Sequence, residues 1–494
     1  MSAWQDAAPI PLTGADCFLR AFDAEARRLH GASHLSQLVL RLGAGFDLAG
    51  FRELVASVSR ANPIVRAPIV RPWGCLPPVY DTPRARAGAA PRVTLHPDGG
   101  ARSAALPAAF AARLNDSFDL RRGDLLRLDV VPYAAGAGGT DLALTWAHCL
   151  LDGSGSERFV EWLAACHRGD RKPDDLGPEE AVGAAAEGSA APAPRAGPDA
   201  ANGGARAGGL RARAYQARIA EFARVPPHSL AGPLRRATQA VTPDLLRFDE
   251  AETRRIVARA SQQAGFLTPV LFHLAAVIRA HHAVFRKRGA SPGSYVVPVV
   301  ANLRPRGAPG AIFRTHVSML WFQVFPEQAD DFGTLLAALK EQRLARIKEG
   351  FLENGAAALD YARWAPKRAY AWMAARALRG ELASFFFAYT GEFLPGLTHF
   401  CGAPIENGFH AAGVMAQPGS AAILCLRAGG LNAVHVRQAG VFSPGELTVF
   451  RDQLRADLVG VPADLVGVPA DLIGVPADLA GDPAASAVSE PGAP

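Results

Sequence analysis

The stretch Leu142-Ala-Leu-Thr-Trp-Ala-His148-Cys-Leu-Leu-Asp152-Gly153-Ser-Gly constrains this chain more than any other. An apolar run stops at His148, Asp152-Gly153 marks a turn, and an amphipathic segment, Glu157-Arg-Phe-Val-Glu-Trp-Leu-Ala, follows. The pattern predicts a strand, a tight loop and a helix. The imidazole stands where the strand ends, a place from which a side chain can project into a cleft. Gly153 permits a left-handed backbone in the turn, at little cost to a residue without a Cβ.

A chain of 494 residues exceeds one ordinary core, and two domains are expected. With 49% hydrophobic residues, two cores can be filled. A net charge of +6 over this length describes a solvated basic surface. It permits an anionic partner such as a CoA ester or a lipid head group. No Lys/Arg patch with interleaved aromatics occurs, so nucleic acid is set aside as a partner. Cys17, Cys75, Cys149, Cys166, Cys401 and Cys425 form no CxxC pair, which argues against a zinc site and a disulfide framework. A cytoplasmic setting is expected from this. The first residues lack the basic start and apolar core of a signal peptide. No window of about 18 residues is apolar throughout, so no membrane span is expected.

Periodicity and punctuation predict helices over 14–24, 48–60 and 109–115, and strands over 34–42, 64–70 and 125–132, before the central motif. Residues 81–105 read as a surface excursion and 134–139 as a hairpin turn. Four regions are therefore expected. Residues 1–168 form a first half and 169–240 an Ala/Gly/Pro-rich linker or disordered loop, too poor in apolar side chains to offset its chain entropy. Residues 241–456 form a second half, with strands over 245–248, 294–300, 316–325, 384–388, 421–427 and 432–438. Its helices are expected over 249–264, 269–285, 331–348, 364–382 and 443–458. The basic segment with Trp364, Lys367, Arg368, Arg376 and Arg379 suits a solvated face or a weak association with a membrane surface. Residues 457–494 repeat a heptapeptide, Asp457-Leu-Val-Gly-Val-Pro-Ala, whose Pro462, Pro469 and Pro476 oppose a coiled coil. That tail is expected to be extended or disordered.

A neutral imidazole, with an ordinary pKa of about 6.5, can take a proton from an alcohol or amine attacking a carbonyl. His148 is the candidate base. Cys149 adjoins it, but neighbours on a strand point to opposite faces, so the two are not expected to pair. The run Gly289-Ala-Ser291-Pro-Gly293 fits G-x-S-x-G, yet it follows a helix and precedes a strand, the reverse of a nucleophile elbow. His281-His282 lack a third ligand at metal spacing and read as a packed or solvated pair. No metal is expected.

His148-xxx-Asp152-Gly153 resembles the HHxxxDG signature of the CoA-dependent acyltransferase superfamily. That group includes chloramphenicol acetyltransferase, the condensation domains of nonribosomal peptide synthetases, polyketide-associated acyltransferases and wax ester synthases. Other segments share the resemblance: Asn62-Pro-Ile-Val-Arg66 after the first strand-helix pair, and Ser117-Phe-Asp-Leu-Arg-Arg-Gly-Asp-Leu-Leu-Arg127 before the His strand. Pro298-Val-Val-Ala-Asn-Leu-Arg304-Pro is similar to a strand of the family's second half, and residues 384–391 to a later strand ending in a Ser/Asn-x-Gly turn. The opening Pro11-Leu-Thr-Gly-Ala-Asp-Cys-Phe-Leu resembles the wax ester synthase branch.

The resemblance implies an α/β fold: two chloramphenicol acetyltransferase-like subdomains forming a V with a tunnel between them. It implies a condensation-type acyltransferase in which His148 acts as general base. The acyl group would arrive as a thioester of CoA or of carrier-protein phosphopantetheine, as co-substrate rather than bound cofactor, and pass to a small hydroxyl or amine acceptor. It further implies that Asp152 is structural and pairs with Arg304 through the planar guanidinium fork, and that Gly153 keeps the turn small. Two departures stand out. Ala147 replaces the first His, and Tyr389-Thr390-Gly391 stands where the family carries an oxyanion-stabilising Ser or Asn, making Thr390 the candidate donor. These departures leave open a non-catalytic module that binds a carrier protein or synthase. A wax ester or diacylglycerol acyltransferase is the other alternative.

Overall fold

The computed structural model describes residues 8–72, 76–134, 138–183, 198–232, 240–265, 268–304, 310–366, 369, 370, 378, 380–415 and 417–460. The first part of the chain supplies β1 (Ile10–Pro11), β2 (Leu35–Leu42), β3 (Ile69–Val70), β4 (Val79–Tyr80), β5 (Arg92–Leu95), β6 (Leu126–Pro132) and β7 (Thr140–Ala147). The second supplies β8 (Val241–Phe248), β9 (Tyr295–Asn302), β10 (Val317–Val324), β11 (Phe386–Glu392), β12 (His399–Phe400), β13 (Ala403–Ala412), β14 (Ser420–Arg427) and β15 (Gly430–Gln438). They form one large sheet in the order β12-β13-β2-β7-β6-β5 and another in the order β10-β9-β11-β14-β15-β8. A small sheet, β1-β4-β3, lies beside them. The fold is mixed α/β, as expected.

In the first sheet, β2 and β7 are buried at every position. They run antiparallel, with Leu35 opposite Ala147 and Leu42 opposite Thr140. A strand covered on both faces is apolar almost throughout, and two of the polar exceptions pair across the strands: Gln37 Nε2 donates to Thr145 Oγ1 at 2.9 Å. This register brings the residue before β2, His34, beside the residue after β7, His148. In the second sheet, β11 runs parallel to β9 and β14, while β14, β15 and β8 are antiparallel.

The second part of the chain gives β12 and β13 to the first sheet. β13 comes from the second part of the chain yet pairs with β2, with Gly408 opposite Leu40 and Ala412 opposite Ser36. No strand was expected there, because Pro404 and Gly408 both weaken a strand signal. Pro404 stands at the second position and a bulge follows between Ile405 and Asn407.

The expected linker or disordered loop at 169–240 is a correction in its described part. Helices span Pro178–Val182 and Pro198–Phe222. Tyr215, Ile219 and Phe222 recur at i, i+4 and i+7, which places them on one helical face. Ile219 and Phe222 are buried, and the Tyr215 ring lies 5.1 Å from that of Phe351. The low average hydrophobicity of the segment hides this short apolar seam. The partner helix, Phe351–Ala362, was also not expected. Residues 64–70, expected as one strand, divide into a 3-10 turn at Pro63–Arg66 and β3. The heptapeptide tail after residue 460, and Lys367, Arg368, Arg376 and Arg379 of the basic segment, lie outside the described residues. No single helix among the described residues is long and apolar enough to cross a membrane.

His281 and His282 are packed. His282 bonds Tyr295 Oη at 2.9 Å and Asp330 Oδ1 at 3.1 Å. His281 Nδ1 lies 2.9 Å from Val277 O, so it carries the proton, and Nε2 accepts from Ser420 Oγ at 3.0 Å. Ser420 Oγ in turn accepts from His435 Nε2 at 3.0 Å. Every proton in this buried chain has one place. Burial lowers the His281 pKa to about 4 and that of His435 well below its ordinary value. The unfolded chain therefore binds protons at a pH where the folded one does not. Stability is full above about pH 6.5 and is lost as the pH falls toward about 4, with a slope of up to ~1.4 kcal/mol per pH unit per titrating imidazole. Urea midpoints measured across that window are expected to fall with acidification, and His281→Phe is expected to flatten the fall.

Candidate active site

The site begins at the end of β7. His148 leaves the strand, three residues turn, and Asp152 caps the helix Gly153–Arg168 by accepting from Gly155 N at 2.8 Å. An Asp at this position satisfies one of the free amides of a helix start and favours the positive end of its dipole. The carboxylate also meets Arg304, which follows β9. Arg304 Nη1 lies 2.8 Å from both Asp152 Oδ1 and Oδ2, and His316 N donates to Oδ2 at 2.8 Å. The expected pair forms, but without a fork. One nitrogen serves both oxygens, while Nε donates to Ala311 O at 2.9 Å and Nη2 is buried without a hydrogen-bond partner among the described residues. The pair is almost dry: the side chains are 4% (Asp152) and 2% (Arg304) exposed.

The expectation for Gly153 needs correction. Its backbone is ordinary helix, since the Asp152 cap turns the chain directly into the helical path, and it is absent from the left-handed glycines. A Cβ at Gly153 would meet nothing nearer than His410 Cε1 and Thr390 Cγ2, each at 3.9 Å. The tight glycine is Gly155, where a Cβ would come within 2.3 Å of Ile312 O. Without a Cβ at Gly153, the turn leaves room for about one methyl group beside Thr390 and His410. Thr390 is exposed at the end of β11, where the register shifts between Tyr389 and Glu392. Bulges of this kind re-aim side chains and recur beside active sites.

His148 is partly exposed. Its Nδ1 lies 3.4 Å from Leu151 O; a carbonyl can only accept, so Nδ1 carries the proton. That leaves Nε2 as the basic atom of the neutral ring. Burial lowers its pKa, and hydrogen bonding with Leu151 and the Asp152 charge oppose this only partly. Two further imidazoles, which the sequence reading missed, stand close. His34 stacks on His148 with ring centroids 5.3 Å apart. Burial lowers its pKa to about 3. His410, on β13, donates from Nε2 to Ser156 Oγ at 3.1 Å, and burial lowers its pKa to about 4. Glu157 Oε1 lies 3.9 Å from His410, and burial raises the Glu157 pKa to about 8. Both histidines are neutral at pH 7, so neither sets a positive charge against His148. His34 and His410 come from strands far from the motif in sequence, and only the sheet register brings them to it.

With this geometry, the comparisons with known proteins are informative. No protein-family model matches the chain, and no curated protein matches it. Solved structures do. The first condensation domain of the calcium-dependent antibiotic synthetase, in complex with a substrate analogue, matches at a TM-score of 0.61 and 17% identity, covering 94% of this chain and 98% of that one. The fold is that of a condensation domain. The trichothecene 15-O-acetyltransferase of Fusarium sporotrichioides matches at 0.61 and 11% identity, covering 91% and 95% of the two chains. Polyketide synthase associated protein 5 from Mycobacterium tuberculosis matches at 0.55 and 15% identity, covering 91% and 99%. Condensation domains and related acyltransferases thus share this architecture over most of its length.

In this condensation-domain fold, removing one charge of a dry ion pair leaves the other uncompensated. Arg304→Met is expected to lower the unfolding free energy by about 3–5 kcal/mol. Adding Asp152→Asn, which keeps an acceptor for Gly155 N, is expected to restore part of the loss. Urea unfolding of the two single variants and the double variant measures both effects.

Proposed function

We propose that this chain is a condensation-type acyltransferase, moving an acyl group from a CoA or carrier-protein thioester to a hydroxyl or amine. The observation that carries the reading is the tautomer of His148, which turns its basic Nε2 away from the Leu151 carbonyl. The turn after that imidazole leads to Gly153, whose missing Cβ would face Thr390 Cγ2 and His410 Cε1. The whole-chain likeness to condensation domains and an acetyltransferase supports the reaction class.

In this mechanism Nε2 takes the acceptor's proton as its oxygen or nitrogen attacks the thioester carbonyl. The carbonyl π pair moves to oxygen, and the Thr390 hydroxyl donates to the oxyanion. The tetrahedral intermediate collapses, the C–S bond breaks, and the thiolate takes the proton from the imidazolium. The acyl group is never attached to the protein. Asp152 and Arg304 act as positioning residues, holding the loop that carries His148. A thioester is suited to this site because its thiolate leaves without needing a strong acid.

His148→Ala is expected to slow transfer by about 10²–10⁴-fold, the usual contribution of a placed general base. Thr390→Val keeps the shape and removes the hydroxyl, and is expected to cost about 10²–10³-fold in kcat. Thiol release from acyl-CoA in the presence of an alcohol or amine reads both, and full activity in His148→Ala would remove the base assignment. Because burial lowers the His148 pKa, the base stays unprotonated to a lower pH than an ordinary imidazole does. The acid limb of kcat/KM is therefore expected below about pH 6.5.

A further inference from the structure

A cavity of about 950 Å3 opens where the helix Gly14–His30 faces the helices Pro198–Phe222 and Phe351–Ala362. Its wall is apolar. Phe18 and Phe22 come from the first helix, Ile219 from the second, Met319 and Trp321 from β10, and Phe386 from β11. Arg213 and Gln216 also line it and are exposed, which gives the opening a polar rim. This size stands near the top of the range for pockets that enclose a drug-sized ligand.

The inner end of the cavity approaches the base. The Phe22 ring lies 6.1 Å from Phe386 and 5.8 Å from His34, whose ring stacks on His148. Phe386 also opens the strand that carries Thr390, about 13 Å further along at ~3.3 Å per residue. A ligand seated here would be apolar, and one long enough to pass beyond Phe22 and Phe386 would approach His148 and Thr390.

We propose that this cavity holds a long aliphatic chain belonging to one of the two substrates, either the acyl donor or the acceptor. The proposal rests on the acyltransfer reading. An apolar wall gains about fourfold in affinity for each methylene it buries, until the chain fills the space. The Pro198–Phe222 helix completes the cavity, so a segment that composition alone suggests is a linker would set substrate length. Ala212 and Ala362 line the space from facing helices and leave room for the chain.

The test is equilibrium binding to the full chain, followed by calorimetry. Decanoyl-CoA against acetyl-CoA probes the donor, and decylamine against ethylamine probes the acceptor. One long ligand is expected to bind at least about tenfold tighter than its short counterpart. Ala212→Trp and Ala362→Phe, each checked for an unchanged melting temperature, are expected to erase that preference and leave the short ligand unaffected. Equal binding of long and short ligands in both arms, or an unchanged preference in both narrowed variants, overturns the proposal. His148→Ala is expected to bind the long ligand normally. Length-selective binding without any transfer would therefore sink the catalytic reading and leave the cavity standing, whereas transfer without length dependence would do the reverse.

Discussion

A carboxylate and a guanidinium taken almost wholly out of water are the tie on which this architecture depends. The isolated ions would be costly to bury, and Asp152 is stabilised only because Arg304, Gly155 N and His316 N together meet both of its oxygens. Those partners come from three places: the motif helix, the end of β9 and the approach to β10. Satisfying one side chain thus fixes three backbone segments against one another. The close passage of Ile312 O over Gly155 belongs to the same constraint, since a side chain there would push the second segment away. His148 stands four residues before Asp152, so its loop is held from the turn as well as from β7.

The strand given to the first sheet supplies a second constraint. With β13 paired to β2, residues of the second part of the chain line the first sheet, and His410 reaches the motif helix through Ser156. The second part of the chain, having given β13 to the first sheet, cannot separate from it without breaking an antiparallel ladder. That ladder helps fix the surroundings of His148.

Local pattern carried the motif. The apolar run, the cap and the amphipathic helix all lie within about two dozen residues, and short-range physics suffices to read them. The Asp152–Arg304 pair was accessible only through resemblance, because 152 residues separate the partners and no periodicity links them. His34 and His410 were not legible at all: each is an isolated His whose meaning comes from register. The helix Pro198–Phe222 was hidden by its Gly and Ala, since three apolar residues at helical spacing vanish in an average over forty or more. Gly153 misled in the opposite sense. A glycine after Asp suggests a left-handed turn, whereas here an N-cap makes the turn and the missing side chain leaves space.

The histidines near the turn show how one environment yields different chemistry. Burial lowers the pKa of His34, His148 and His410 alike. Basicity alone therefore does not single out His148. Hydrogen bonding does. His410 commits Nε2 to Ser156 and keeps Nδ1 buried, and His34 Nδ1 is buried too. His148 instead commits Nδ1 to a neighbouring carbonyl and retains partial exposure. Its neutral neighbours place no cation against the proton it accepts, while the nearby Asp152 charge favours the imidazolium that forms. A low-dielectric setting strengthens that attraction as it disfavours the charged ring at rest. Burial thus keeps the ring toward its neutral form, while the Asp152 charge that helps hold the loop is the one that favours protonation.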